Sequence, residues 1–375
     1  MIDAYARAAH SPPAMTTHNR YHNFSAGPGA LPLSVLEEAQ RNFLNHEGKG
    51  AGLMEMSHRT KPFESVLYAA RDTLAELYGL PDTHEVLFLQ GGAHLQFAMV
   101  PLNLGAGAYV DTGVWASRAY EEAARVGPAW KIWTDKANNY RGVPAAGTSF
   151  DVPAEAKYLH YTTNNTIYGT QWHHVPETTL PLVSDMSSDF LSRPLDLGRF
   201  ALVYAGAQKN AGPSGVTIVI GRKDLLRTFT GAATVPLIMR YPIHAENDSM
   251  YNTPNTFGVY MVGLVAKWVK AQGGLAGMAA QAEEKAGRIY GVLDAHPDVF
   301  EPHAAPESRS RMNLTFRLKG GADAEKTLLA AADAAGIVGL KGHRSVGGLR
   351  ASLYNAVPRE SVEALARLLE DFAKR

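Results

Sequence analysis

The sequence predicts an α/β protein: a large domain built on a mostly parallel sheet flanked by helices, followed by a smaller α+β domain. Three observations carry that expectation. At 375 residues the chain exceeds one ordinary domain, which runs to about 100–200 residues. Short apolar runs alternate with stretches of helical period and end in glycine or polar turns, the βα alternation of a doubly wound sheet. Near Gly273-Gly274 the pattern changes to alanine-rich helices with sparse strands. The expected boundaries are a disordered lead over residues 1–20, a large domain over 21–270 whose opening segment is also available to the small domain, and a small domain over 271–375.

Taken in order, the lead contains Ser11-Pro12-Pro13 and no periodicity, and Met15 offers an alternative start. Ser34 followed by Glu37 reads as a capping box opening a helix. Phe63, Val66, Leu67, Ala70, Leu74 and Leu77 repeat with the 3.6-residue period of a buried helix face, and Gly79 and Pro81 end it. Strand-like runs follow at Val86–Leu89, Ala108–Val110, Tyr158–Tyr161, Leu182–Ser184, Ala201–Tyr204 and Val216–Ile220. In the last third, Met312–Leu318 reads as a strand. Val362, Leu365, Leu368, Leu369 and Phe372 form the apolar stripe of a closing helix.

Hydrophobic residues make up 46% of the chain and charged residues 19%, enough for a sizeable core. Lysine plus arginine and aspartate plus glutamate number 36 each, so no positive excess is present to hold nucleic acid or an anionic membrane surface. Cysteine is absent. That excludes disulfides, thiolate metal sites and thiol catalysis, and accords with a reducing compartment. The apolar run Val259–Ala266 ends at Lys267, far short of the roughly 20 residues a bilayer requires. The N-terminus, with Asp3 and Arg7, lacks a signal-peptide core. The expectation is a cytoplasmic protein.

Ligands of open α/β sheets bind at the carboxyl ends of the strands, so the residues after each run are the candidates. Val86–Leu89 leads into Gln90-Gly91-Gly92-Ala93-His94 and a helix; free backbone N–H groups there favour an anion such as phosphate, although a plain tight turn has the same look. Ala108–Val110 leads to Trp115, a stacking surface or a core residue. Leu182–Ser184 leads to Asp185. Ala201–Tyr204 leads to Gly206-Ala207-Gln208-Lys209-Asn210. A phosphate cradle, an aromatic, an acid and a lysine are together the parts that pyridoxal phosphate requires. The 24 residues from Asp185 to Lys209 are about one βα unit, so both can face one cleft.

At this point the chain resembles the phosphoserine aminotransferase family, in the class-V group of fold-type I pyridoxal phosphate enzymes, from about Asn23 to the C-terminus. The strings that carry the resemblance are Phe24-Ser25-Ala26-Gly27-Pro28, Glu55-Met56-Ser57-His58-Arg59, Tyr204 to Asn210, Tyr251-Asn252-Thr253-Pro254, Ser310-Arg311-Met312-Asn313 and Lys341 to Gly348. The resemblance implies that Lys209 is the Schiff-base lysine and Asp185 the partner of the pyridine nitrogen. It implies that Trp115 stacks on the ring, that Thr166 contacts the cofactor, and that Ala93, His94 and Gln208 surround its phosphate. Asn252 and Thr253 would reach that phosphate from a second subunit, which implies a homodimer. His58, Arg59, His343 and Arg344 would anchor the substrate anions, a role that suits arginine because its planar fork bonds two oxygens at once.

The implied reaction moves the amino group between O-phospho-L-serine and 2-oxoglutarate, giving 3-phosphohydroxypyruvate and glutamate, and runs in reverse in serine biosynthesis. Some relatives also serve vitamin B6 synthesis with 4-phosphohydroxythreonine. Two departures stand out: many family members have Gly-Arg where this chain has Ala93-His94, and a serine where it has Ala26. The first removes a fixed positive charge beside the expected phosphate. The rival readings are another class-V transaminase, such as one acting on alanine and glyoxylate, and a non-catalytic protein that uses the Gly91-Gly92 turn for a phosphorylated ligand.

Overall fold

The computed structural model describes residues 17–344 and 346–374; most of the lead, with Met15, lies outside the described residues. The chain runs β1 (His22–Asn23), α1 (Leu33–Arg41), α2 (Lys61–Tyr78), β2 (His84–Leu89), α3 (Gly92–Leu104), β3 (Gly107–Asp111), α4 (Val114–Val126) and β4 (Ala129–Thr134). It continues with β5 (Tyr158–Thr162), the short β6 (Asn164–Asn165) and β7 (Thr170–Gln171), β8 (Leu182–Asp185), β9 (Leu202–Gly206) and β10 (Thr217–Arg222). Then come α5 (Lys223–Leu226), α6 (Tyr241–Glu246), α7 (Thr256–Ala271), α8 (Gly274–Ala295), β11 (Phe300–Pro302), β12 (Asn313–Leu318), α9 (Gly321–Ala334), β13 (Ile337–Val338), β14 (Leu349–Ser352) and α10 (Arg359–Ala373).

Seven strands form the main sheet in the order β2-β10-β9-β8-β5-β3-β4. Only β10 runs against its neighbours; the other pairings are parallel. Both faces are covered, and the two-residue period of the strands divides their side chains between two cores. Val86, Phe88, Val203, Ala205, Ile218 and Ile220 face the layer containing α2 and α7. Leu87, Leu89, Leu202, Tyr204 and Val219 face the layer containing α3 and α4. Helices α2 and α7 cross closely because Gly263 has no side chain: a Cβ there would stand 3.1 Å from that of Ala70.

A third core lies between the antiparallel sheet β11-β12-β14 and helices α8, α9 and α10. The chain's opening segment belongs to it, since β1 pairs with β13 and Phe24 is fully buried among its residues. From Ser25 the chain returns to the main sheet, where Gly29 N–H donates to the carbonyl of Gln208 at 2.8 Å.

One expectation is corrected. Ser34 and Glu37 do not form a capping box: α1 begins at Leu33, Pro32 holds the cap position, and no side chain caps the helix. Proline at φ −59° already sets the entry to the helix, so Ser34 falls inside the first turn. Glu37 instead meets His18 Nε2 at 3.1 Å. Helix α2 ends as expected, with Gly79 left-handed at φ 56°.

Candidate active site

The parallel strands deliver the chemistry to one edge. Thr162 and Asp185, the last residues of β5 and β8, are register partners, Asp185 pairs in turn with Tyr204 in the middle of β9, and the turn after β9 carries Lys209. Asp185 is 4% exposed. Its Oδ1 accepts from Ser187 N–H at 2.9 Å and from Ser187 Oγ at 2.6 Å. The same Ser187 Oγ accepts the N–H of Gly206 at 3.1 Å. One serine therefore ties the carboxylate to the strand that leads into the lysine turn. Burial raises the Asp185 pKa, while the Lys209 charge and the two Ser187 hydrogen bonds oppose it.

Lys209 Nζ donates to Thr166 Oγ1 at 2.8 Å and lies 5.7 Å from the centre of the Trp115 ring. Burial pushes its pKa down to about 8; the Arg350 charge adds to the fall, and Asp185 and Asp189 resist it. The chain packs tightly over this lysine. A Cβ on Gly29 would stand 2.9 Å from the Lys209 carbonyl oxygen, and one on Gly27 would stand 3.4 Å from Lys209 Cγ. The string from Phe24 to Pro28 is thus part of the lysine's wall. Tyr354 closes the same corner by donating to the Ala26 carbonyl at 2.7 Å.

On the other side, Gly91 and Gly92 have φ of 88° and 67°, a left-handed turn that favours glycine. It opens α3, with Ala93 and His94 in the first turn, where backbone N–H groups lack helical partners. The His94 ring meets the edge of Trp115 at 5.4 Å. Gln208 folds back over Gly206, where a Cβ would come within 2.6 Å of its Oε1.

These residues fit pyridoxal phosphate on structural grounds. A buried carboxylate, a half-buried lysine of lowered pKa and an indole face lie together at the strand ends, beside a helix start with free N–H groups. The Nε of Arg350 and the Nε1 of Trp115 are buried donors without partners among the described residues, as expected where a ligand would bind.

Of the residues singled out from sequence, Lys209, Asp185, Trp115, Thr166, Gln208, Ala93 and His94 gather on this edge. His343 approaches it: its pKa is lowered by burial and by the charges of Arg350, Arg344 and Arg118. The chain just beyond it is held in the same neighbourhood, since Val346 and Trp115 both pack against the cluster of Tyr140, Ile167 and Tyr168. His58 and Arg59 lie in the turn before α2, and Asn252 and Thr253 are exposed before α7. No described hydrogen bond or ion pair joins these four to Lys209 within one chain.

Sequence reasoning missed Arg350 on β14. Its Nη1 donates to the Thr166 carbonyl at 3.3 Å, so Thr166 holds Lys209 by its hydroxyl and Arg350 by its backbone. Burial lowers the Arg350 pKa, and no carboxylate pairs with it among the described residues. The available signal was a charged residue between Leu349 and Ala351 in an otherwise apolar strand.

Residues 21–365 match the class-V aminotransferase family. A phosphoserine aminotransferase of Geobacillus kaustophilus (strain HTA426) is 49% identical over 360 residues, covering 95% of this chain and 99% of its own length. One from Bacillus subtilis (strain 168) is 45% identical over 357 residues, covering 94% and 98%. Among solved structures, a phosphoserine aminotransferase from Bacillus circulans subsp. alkalophilus superposes with a TM-score of 0.92 at 47% identity, covering 95% of this chain and 99% of that one. A PLP-bound phosphoserine aminotransferase from Trichomonas vaginalis gives 0.89 at 37% identity, covering 94% and 100%.

Proposed function

The chain belongs to the class-V aminotransferase family, and we propose that it is a pyridoxal phosphate-dependent transaminase exchanging the amino group between O-phospho-L-serine and 2-oxoglutarate. The observation that carries this reading is the pairing of Lys209, its pKa drawn down to about 8, with buried Asp185 on the neighbouring strand end. The near half-identity to phosphoserine aminotransferases over almost the full length supports the choice of substrate.

When bound, pyridoxal phosphate supplies an electrophilic carbon for the amino group and a sink for the electrons of the substrate Cα–H bond. The chain's own residues do the rest. Asp185 keeps the proton on the ring nitrogen, and Ser187 fixes the carboxylate that does so. Trp115 gives the ring a flat surface. The first-turn N–H groups of α3, with Gln208, take the phosphate.

Lys209 is the base that moves a proton from the substrate Cα. A lysine near its ordinary pKa of about 10.4 is almost wholly protonated at neutral pH; one at about 8 offers a usable free-amine fraction. Thr166 aims its Nζ through the 2.8 Å hydrogen bond. Arg350 takes the substrate α-carboxylate, since it is a half-buried guanidinium with a buried, unpaired Nε and shares Thr166 with the lysine. His343 and Arg344, with His58 and Arg59, take the distal anion.

The same reading makes the enzyme a homodimer. Arg59, Asn252 and Thr253 are exposed and have no contact with their own Lys209. The neighbouring chain segments carry exposed apolar side chains: Leu44 (83% exposed), Phe43 and Met54 ahead of Arg59, and Tyr251 next to Asn252. A second copy covering that face would bury the patch and bring these residues to a site. No helix among the described residues is long and apolar enough to cross a membrane, and the absence of cysteine favours the cytoplasm as the place of reaction.

The test is glutamate formation from phosphoserine and 2-oxoglutarate, run beside alanine with glyoxylate. Turnover confined to the first pair is expected. Turnover confined to the second would keep the family and reject the substrate.

A further inference from the structure

We propose that Lys285 is a positioning residue for Lys209: a buried ammonium on α8 whose three hydrogen bonds fasten the turn at residues 354–357, and through that turn the segments that hold the base. The proposal rests on the reading of Lys209 as the base.

Lys285 is 4% exposed and takes no part in the steps above. Its Nζ donates to the carbonyls of Tyr354, Asn355 and Val357 at 2.8, 3.3 and 3.2 Å. An ammonium has three donors and no acceptor, so all three are used, each on a backbone oxygen. Burial draws its pKa down to about 7, and the Glu284 charge opposes the fall. An apolar side chain would spare the fold that desolvation but could not grip the three carbonyls.

The turn so held reaches three segments around Lys209. Asn355 N–H donates at 2.8 Å to the Oδ1 of Asn210, the residue after the base. Asn355 Nδ2 donates at 2.8 Å to the carbonyl of Leu191, on the segment that follows Asp185. Leu191 has φ 62°, a left-handed conformation that a leucine keeps only when its surroundings enforce it. Tyr354 donates to the Ala26 carbonyl at 2.7 Å, and a Cβ on Gly29 would stand 2.7 Å from its ring. One turn therefore braces the residue after the base, the wall over it and the chain beyond its acid. A displacement of about 1 Å at a reacting group costs about 100-fold in rate, so releasing this turn acts on the chemical step. Arg350 is held separately, by the pairing of β14 with β12 and by Thr166.

The experiment compares wild type with Lys285→Met, Lys285→Gln, Tyr354→Phe, and Lys285→Met combined with Tyr354→Phe. The pyridoxal phosphate-loaded proteins are read by kcat and KM for phosphoserine and by the visible circular dichroism of the lysine-bound cofactor. The cofactor-free chains are read by the pH midpoint for labelling Lys209 with an amine reagent, located by peptide mass, and by urea unfolding. In Lys285→Met, kcat should fall about 10- to 100-fold with KM within about threefold, and the dichroism should weaken. Lys285→Gln keeps two donors and should lose less. The Lys209 midpoint should move from about 8 toward 10.5 as water reaches it more freely. Tyr354→Phe, which removes no charge and leaves Asp185, Asp189 and Arg350 in place, should move it the same way. The combined variant should lose little more than the larger single loss, because both changes act through one turn.

A folded lysine variant that is only less stable to urea, with kcat, dichroism and Lys209 midpoint unchanged, would overturn the proposal. So would a rise in KM at unchanged kcat, or losses that multiply in the combined variant. If Lys285→Met does not fold, Lys285→Gln decides, alone and combined with Tyr354→Phe. Wild-type protein inert toward phosphoserine would reject the functional reading itself, and the Lys209 midpoint in the cofactor-free chain would still decide whether Lys285 positions that lysine.

Discussion

Replacing Lys209 with methionine removes the half-buried ammonium and keeps much of the stem. The structure sets the size of the effect. Burial takes the lysine from its ordinary 10.5 to about 8, and each pKa unit corresponds to about 1.36 kcal/mol. Keeping Lys209 protonated in the folded, cofactor-free chain at pH 7 therefore costs about 3 kcal/mol. Losing the hydrogen bond to Thr166 returns about 1 kcal/mol to the wild type, which leaves the variant ahead by about 2 kcal/mol. The pH dependence has a definite sign. Between about 8 and 10.5 the folded chain has released the Lys209 proton while the unfolded chain still holds it. Wild-type stability therefore rises as the pH passes from about 8 toward 10.5, while the variant lacks this rise. Urea unfolding of both cofactor-free proteins, at one fixed protein concentration, should show the variant more stable at pH 7 and the gap narrowed to less than about 1 kcal/mol at pH 10. The same variant should have no transaminase turnover. A methionine variant less stable than wild type at pH 7, or a gap indifferent to pH, would refute the claim that Lys209 sits desolvated and poised as a base.

Three further outcomes follow from the site. Asp185→Asn keeps the shape but removes the charge that supports Lys209; turnover should fall at least about 100-fold, and the pH midpoint for labelling Lys209 with an amine reagent should drop below that of wild type. Arg350→Met should raise KM for phosphoserine and 2-oxoglutarate alike, by about 10-fold or more, because both carry the carboxylate that Arg350 binds; a rise for one substrate alone would contradict that role. Inactive Lys209→Ala mixed with inactive Thr253→Ala, after subunit exchange, should regain about a quarter of wild-type activity, because half of the dimers then hold one intact site; no recovery would argue against a site shared between subunits.

Much of this was legible in the sequence for one physical reason. Strands of a sheet covered on both faces are continuous apolar runs, so β2, β3, β5, β8, β9 and β10 stood out, and with them the strand-end positions of Asp185 and Lys209. β4 did not: it is an edge strand, half-exposed, with Lys131 reaching across to Asp111 at 2.7 Å. The pairing of β1 with β13 joins residues more than 300 apart, and no local pattern encodes it. Ser34 and Glu37 had the spacing of a capping box, but Pro32 had already fixed the helix start. Arg350 lay two residues beyond the glycines that close the Lys341 string.

The most direct test of the central claim is the visible absorbance spectrum of the pyridoxal phosphate-loaded protein, before and after phosphoserine is added with no amino acceptor. The account predicts that the yellow band of the lysine-bound cofactor disappears and that of pyridoxamine phosphate replaces it, because the first half of the exchange needs no second substrate. A yellow protein whose spectrum ignores phosphoserine would contradict the substrate, and a protein that never takes up the cofactor would contradict the site.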